Sequence, residues 1–158
     1  MPRTKLSVPD VAEAGPALWS NAIRAGDMLF ISGQVARPFE GGTEMVGKDE
    51  YEQSKQIFSR IDRIIKAAGG TMDNLVKMTI YLVDIKNNTE VWRARREFFT
   101  GDFPASTLVE VRSLAKPESR KPAAACCSTQ SAPQAGAARG RQTARRSAGP
   151  PSTRRAAG

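Results

Sequence analysis

The sequence predicts an α+β fold in which two helices lie on one face of a mixed sheet. Three observations carry that expectation. Two short β-type runs flank a Gly-Asp turn, and a long stretch then repeats apolar residues at the helical period and stops at Gly-Gly. An alternating strand, a second helix and a third β-run follow, with no repeated strand–helix–strand period. No internal repeat is visible.

The elements follow in order. Met1–Gly15 is polar, carries Pro2 and Pro9, and predicts no regular element. Trp19–Arg24 and Met28–Gly33 form a hairpin about Gly26-Asp27, both turn formers. Arg37–Gly47, with Pro38, Gly41, Gly42 and Gly47, reads as a loop. Asp49 is placed to cap a helix, with Glu52 three residues on as in a capping box. Ile57, Ile61, Ile64, Ile65 and Ala68 then trace one helical face, while Lys55, Arg60, Asp62, Arg63 and Lys66 are assigned to the others. Gly69-Gly70 ends this helix. Val76–Val83 alternates, with Val76, Met78, Ile80 and Leu82 on the face expected to be buried. Asn88 or Thr89 can cap a second helix, Glu90–Thr100, whose Val91, Trp92, Ala94, Phe98 and Phe99 read as packing residues. Ser106–Val111 is the last β-run.

Charge divides the chain in two. Residues 1–118 hold 16 Lys and Arg against 16 Asp and Glu, so the domain is neutral. Residues 119–158 hold 8 Lys and Arg and no acid, and so carry the whole formal charge of +8. Arg, Ala, Gly, Pro, Ser and Thr make up 34 of those 40 residues, and no Leu, Ile, Val, Met or aromatic residue occurs among them. Such a segment cannot bury enough apolar surface to offset chain entropy and is expected to be disordered. An abrupt switch to residues with GC-rich codons is what a reading-frame shift produces; resequencing that returned an intact frame would refute that origin. Both cysteines, Cys126 and Cys127, lie there, adjacent, and suit neither a zinc spacing nor a structural disulfide. There is no His, so no metal site, no cofactor and no Ser-His or Cys-His nucleophile is expected. No apolar run approaches membrane-spanning length and no secretory signal is evident, so a cytoplasmic protein with no membrane partner is expected. A neutral domain and a tail without aromatics argue against a nucleic-acid partner.

Several short motifs, in order, resemble the RidA/YjgF family, also described as endoribonuclease L-PSP. They are Gly15-Pro16 with Trp19-Ser20-Asn21-Ala22-Ile23, then Phe30-Ile31-Ser32-Gly33-Gln34, then Ala67-Ala68-Gly69 with Leu75-Val76-Lys77-Met78-Thr79-Ile80-Tyr81-Leu82. Phe98-Phe99, Phe103-Pro104-Ala105 and Val109-Glu110-Val111 complete the set. The resemblance implies a chorismate-mutase-like fold, a homotrimer, and clefts for a small metabolite between subunits. It also implies hydrolysis of reactive imines and enamines, with an alternative ribonuclease role. By the same resemblance, the ligand-contacting residues are Trp19, which stands where the family has Tyr, Ser32, Gly33, Trp92 and Ser106. From the residues alone, Ser32-Gly33 is a strand end and Trp19 a packed aromatic.

Two departures bear on chemistry. The family grips its substrate's carboxylate with an Arg directly after Pro-Ala, where this chain has Ser106, a short neutral residue that cannot make the bidentate contact. Arg112 stands six residues further along the strand, roughly 20 Å away at strand rise. The family's final strand, with its carboxylate, is expected to be missing, because the tail begins at Ser119. A member that binds a small ligand without deaminating it is therefore the alternative reading, and no catalytic residue is assigned.

Overall fold

The computed structural model describes residues 2–13, 15 and 18–114, together with the backbone of residues 127–131. Its strands are β1 (Arg3–Lys5), β2 (Ala22–Ala25), β3 (Met28–Gln34), β4 (Leu75–Leu82), β5 (Ala105–Glu110) and β6 (Cys127–Ser131). The helices are α1 (Glu50–Ala67) and α2 (Asn88–Arg95), each preceded or followed by short 3-10 turns at Met72–Asn74 and Ile85–Asn87. The strands form one mixed sheet in the order β1-β2-β3-β6-β4-β5. Only β4 and β5 run parallel, joined by the crossover that contains α2; every other pair is antiparallel. The predicted α+β class and mixed sheet are what the chain adopts.

Helix α1 forms where the apolar spacing places it. Ile57, Ile61, Ile64 and Ile65 are fully buried against the sheet, each worth about 1.5–3 kcal/mol relative to exposure. Asp49 caps it by accepting from the Glu52 amide at 2.8 Å. The return half of the expected capping box is displaced by one residue, because the Glu52 carboxylate accepts from the Lys48 amide instead. Gly69, at φ +85°, ends the helix with its amide donating to the Lys66 carbonyl.

The sheet register sorts residues by face. Ile31, Thr129, Met78 and Ser106 lie in one row across β3, β6, β4 and β5, and Phe30, Gln130, Lys77 and Ala105 in the next. The helices cover the face of the first row, where Ile31, Met78, Ile80 and Leu82 are buried. The opposite face carries Phe30 and Val109, both more than a third exposed.

Several expectations are corrected. Val76 is 44% exposed and Leu75 is buried, because the pairing of β4 with β6 shifts between Leu75 and Lys77 and reverses the alternation there. Helix α2 is shorter than expected, ending at Arg95 in a tightened turn where the amides of Glu97 and Phe98 donate to the carbonyls of Ala94 and Arg95. Its N-cap is Asn87, whose side chain makes no cap bond and donates to Glu50 instead. The opening segment does contain a strand, β1, all of it exposed, and it supplies Val8 and Val11 to the core. A strand also occupies the position where a closing strand was expected to be missing. β6 pairs antiparallel with both β3 and β4, because two facing rows of backbone N–H and C=O groups accept any backbone and do not require apolar side chains. The remaining residues of the expected disordered tail, 119–126 and 132–158, lie outside the described residues.

Candidate functional site

The sequence nominates Trp19, Ser32, Gly33, Trp92 and Ser106, and within one chain the structure separates them into two groups. The first gathers where β2 meets β3. The pairing of β3 with β6 slips between Ile31 and Gln34, leaving Ser32 and Gly33 at a bulge, the kind of irregularity that re-aims side chains beside binding sites. The Ser32 hydroxyl donates to the Ser20 carbonyl at 2.6 Å and its amide to Asn21 at 2.9 Å. That ties the bulge to the segment carrying Trp19, which is 52% exposed. Asn21, itself buried, holds the same segment by donating to the carbonyls of Val11 and Ala12.

Gln34 closes the bulge from inside. It is 3% exposed, and its side-chain amide donates back to the Ser32 carbonyl at 3.0 Å. Its Oε1 accepts from Arg60 Nε at 3.1 Å. Arg60, assigned from its spacing to a face of α1 other than the apolar one, is instead 6% exposed. Its Nη1 donates to the carbonyl of Pro38 at 2.7 Å and reaches that of Arg37 at 3.5 Å. Burial, then the neighbouring Arg37 and Arg63 guanidiniums, lower its pKa from the usual arginine value. The signal for its burial was present in the spacing, since position 60 lies three residues after Ile57 and four before Ile64, inside the apolar stripe.

The second group lies on α2 and β5. Trp92 is half-buried against the core. Ser106 is exposed on the outermost strand, opposite Met78. Close to Trp92 sits Arg95, flanked in the sequence by Arg93 and Arg96. Arg95 is 8% exposed and donates to the Pro104 carbonyl at 2.9 Å. Its guanidinium carbon stands 5.0 Å from the Phe103 ring centre, 5.5 Å from Trp92 and 5.8 Å from Phe99. Val91 and Trp92, four and three residues earlier, were the sequence signal that position 95 faces inward. Arg93 lies at the surface, paired with Glu90 and stacked over Tyr51. Glu110, on β5, accepts from the Ile85 amide at 2.9 Å.

β3 and β5 are three strand spacings apart, roughly 14 Å, so the two groups do not converge within one subunit. In the first group the Glu13 carboxylate accepts from the Asn21 amide at 3.3 Å and pairs with Lys5, while the sequence of β6, Cys-Ser-Thr-Gln-Ser, supplies no carboxylate. Among the described residues, no group of three or more acidic, His or Cys side chains is placed to hold a metal. Among them, too, no helix is long and apolar enough to cross a membrane.

Comparison with known proteins adds to this geometry. The profile of the endoribonuclease L-PSP family matches residues 12–120, more than half of the chain. A RutC family protein of Pyrococcus horikoshii is 36% identical over 99 residues, covering 62% of this chain and 77% of the relative. The 2-iminobutanoate/2-iminopropanoate deaminase of Capra hircus is 33% identical over 105 residues, covering 66% and 74%. Among solved structures, the protein YyfA of the conserved Rid family from Yersinia pestis superposes with a TM-score of 0.72 at 28% identity, covering 83% of this chain and 99% of that one.

Proposed function

The chain belongs to the endoribonuclease L-PSP (RidA/YjgF) family, and from that premise we propose that it takes small 2-imino or enamino acids in clefts between the subunits of a homotrimer. The observation that carries this reading is the separation of the candidate residues. Two half-sites some three strands apart on one chain become one site only when β5 of one subunit meets the Ser32–Gly33 bulge of another. The exposed apolar face that includes Phe30 and Val109 supports an assembly that covers it.

In the deaminating form of this function, water adds to the imine carbon, the C–N bond breaks, and ammonia and a 2-oxo acid leave. The step needs a cation for the substrate carboxylate and a group that positions the water. Ser106 offers no cation, and Arg95 already donates to the protein backbone beside it. That favours a second reading in which the cleft binds such an acid, or its 2-oxo product, without hydrolysing the imine.

The test is hydrolysis of 2-iminobutanoate generated in situ, measured for the natural chain and for Ser106→Arg. Acceleration by the natural chain supports the deaminase. Acceleration only in Ser106→Arg, with 2-oxobutanoate binding in both, supports the binding protein. Absence of both binding and hydrolysis in both proteins refutes the cleft.

A further inference from the structure

We propose that Arg60 is a positioning residue for the Ser32–Gly33 bulge, acting through Gln34. The proposal rests on the reading that this bulge lines the ligand cleft. Arg60 never reaches the bulge itself. Its guanidinium can only donate, so Gln34 must turn Oε1 toward it, and the Gln34 amino group must then point at the Ser32 carbonyl. One end of the relay is anchored on helix α1 and on the carbonyls of Pro38 and Arg37. The other end fixes the Ser32 peptide, where the pairing of β3 with β6 slips. The orientation of Ser32 and Gly33 toward a ligand is thus set from α1, on the opposite side of the bulge from solvent.

Stability alone does not call for an arginine here. Position 60 falls within the apolar stripe of α1, where burying a guanidinium costs desolvation. Its hydrogen bonds described above all go to neutral oxygens, so no carboxylate among them offsets that cost. An aliphatic residue would fill the stripe without that cost. What an aliphatic residue cannot do is dictate which way the Gln34 amide faces.

The alternative is that Arg60 only staples the 37–47 loop to α1. Gln56 provides the control, because it makes the parallel staple, donating to the Arg37 carbonyl at 2.6 Å, while the Gln34 side chain bonds Ser32 and Arg60. The experiment compares the natural chain with Arg60→Met, Arg60→Lys, Gln56→Leu and the double variant Arg60→Met/Gln34→Leu. Three readouts are taken: 2-oxobutanoate affinity, thermal midpoint, and amide hydrogen exchange of Ser32 and Gly33 in the free protein.

Arg60→Met is expected to weaken 2-oxobutanoate binding about tenfold, one good hydrogen bond's worth, and to speed exchange at Ser32 and Gly33. Arg60→Lys should recover part of the affinity, and the double variant should bind no worse than Arg60→Met. Gln56→Leu should lower the midpoint while leaving affinity and exchange at the bulge unchanged. Affinity losses that follow the midpoint alike in Arg60→Met and Gln56→Leu overturn the proposal. If the natural chain does not bind 2-oxobutanoate, the cleft reading fails, and the exchange data alone decide the role of Arg60. Faster exchange at the bulge in Arg60→Met, but not in Gln56→Leu, then upholds it, and equal exchange overturns it.

Discussion

The most informative single residues in this chain are charged ones whose surroundings their residue type does not announce. Asp73, on the short turn before β4, receives the Thr100 hydroxyl together with the amides of Thr100 and Gly101. The Thr100 hydroxyl first, and then those amides, hold its pKa below the usual 3.8. Its contribution to stability is therefore present above the usual carboxylate range and is lost as pH falls through the lowered value. Glu97, lowered by Lys55 and then by Tyr51, behaves with the same sign. Denaturation in urea, followed from about pH 5 to about pH 2, should show the natural chain losing stability toward acid. Asp73→Asn, which keeps an acceptor but does not titrate, should give a shallower loss. An identical slope in the variant would mean that other carboxylates dominate.

At the scale of elements, α1 and the loop before it are built together. Gly47 lies at φ +102°, and a Cβ there would stand 2.7 Å from the Gln53 amide nitrogen. The loop can approach the first turn of α1 only through glycine. Gln53 donates from that turn to the Gly47 carbonyl at 3.3 Å. Gly47→Ala should therefore cost about 1–3 kcal/mol, measured as a lower urea midpoint with an unchanged slope. A neutral result would show that the loop has room to move away. α2 is joined to α1 differently, through Tyr51 and Lys55 meeting Glu97, with Arg93 3.6 Å above the Tyr51 ring. A chain of rings, Phe98 to Phe58 to Phe99 to Phe103, continues from there to the start of β5. The ring chain ends at Phe103, two residues before β5, whose own side chains stay largely exposed.

Among the described residues, the helices lie on one side of a single sheet, and the face carrying Phe30 and Val109 and the outer edge of β5 have no partner. Phe30 at 41% and Val109 at 36% exposure stand on that face in the register of the sheet. If copies of this chain cover the face, sedimentation should return three chain masses, and Phe30→Glu should shift the distribution to the monomer. On the shared-cleft proposal it should also abolish 2-oxobutanoate binding, because each subunit would then supply only one half of the site. A monomeric natural chain that still binds 2-oxobutanoate would place the whole ligand site within one subunit and refute the shared cleft.

The sequence by itself determined the types of β2, β3, α1, β4, α2 and β5, the α1 stripe, its cap at Asp49 and its glycine stop. These depend on local periodicity and on the backbone conformations that single residues allow. The ordered motifs from Gly15 to Val111 also carried the family, since they preserve residues at turns and strand ends where few types fit. Only the tertiary structure decided the rest. Strand β6 sits between β3 and β4 because backbone pairing is indifferent to the polar side chains of Cys127–Ser131. Leu75 and Val76 exchange places because register is set by the neighbouring strand. Arg60 and Arg95 lie inside because helical spacing places a residue on a face, and only the neighbours across that face, Gln34 and Pro104 here, can satisfy a buried guanidinium.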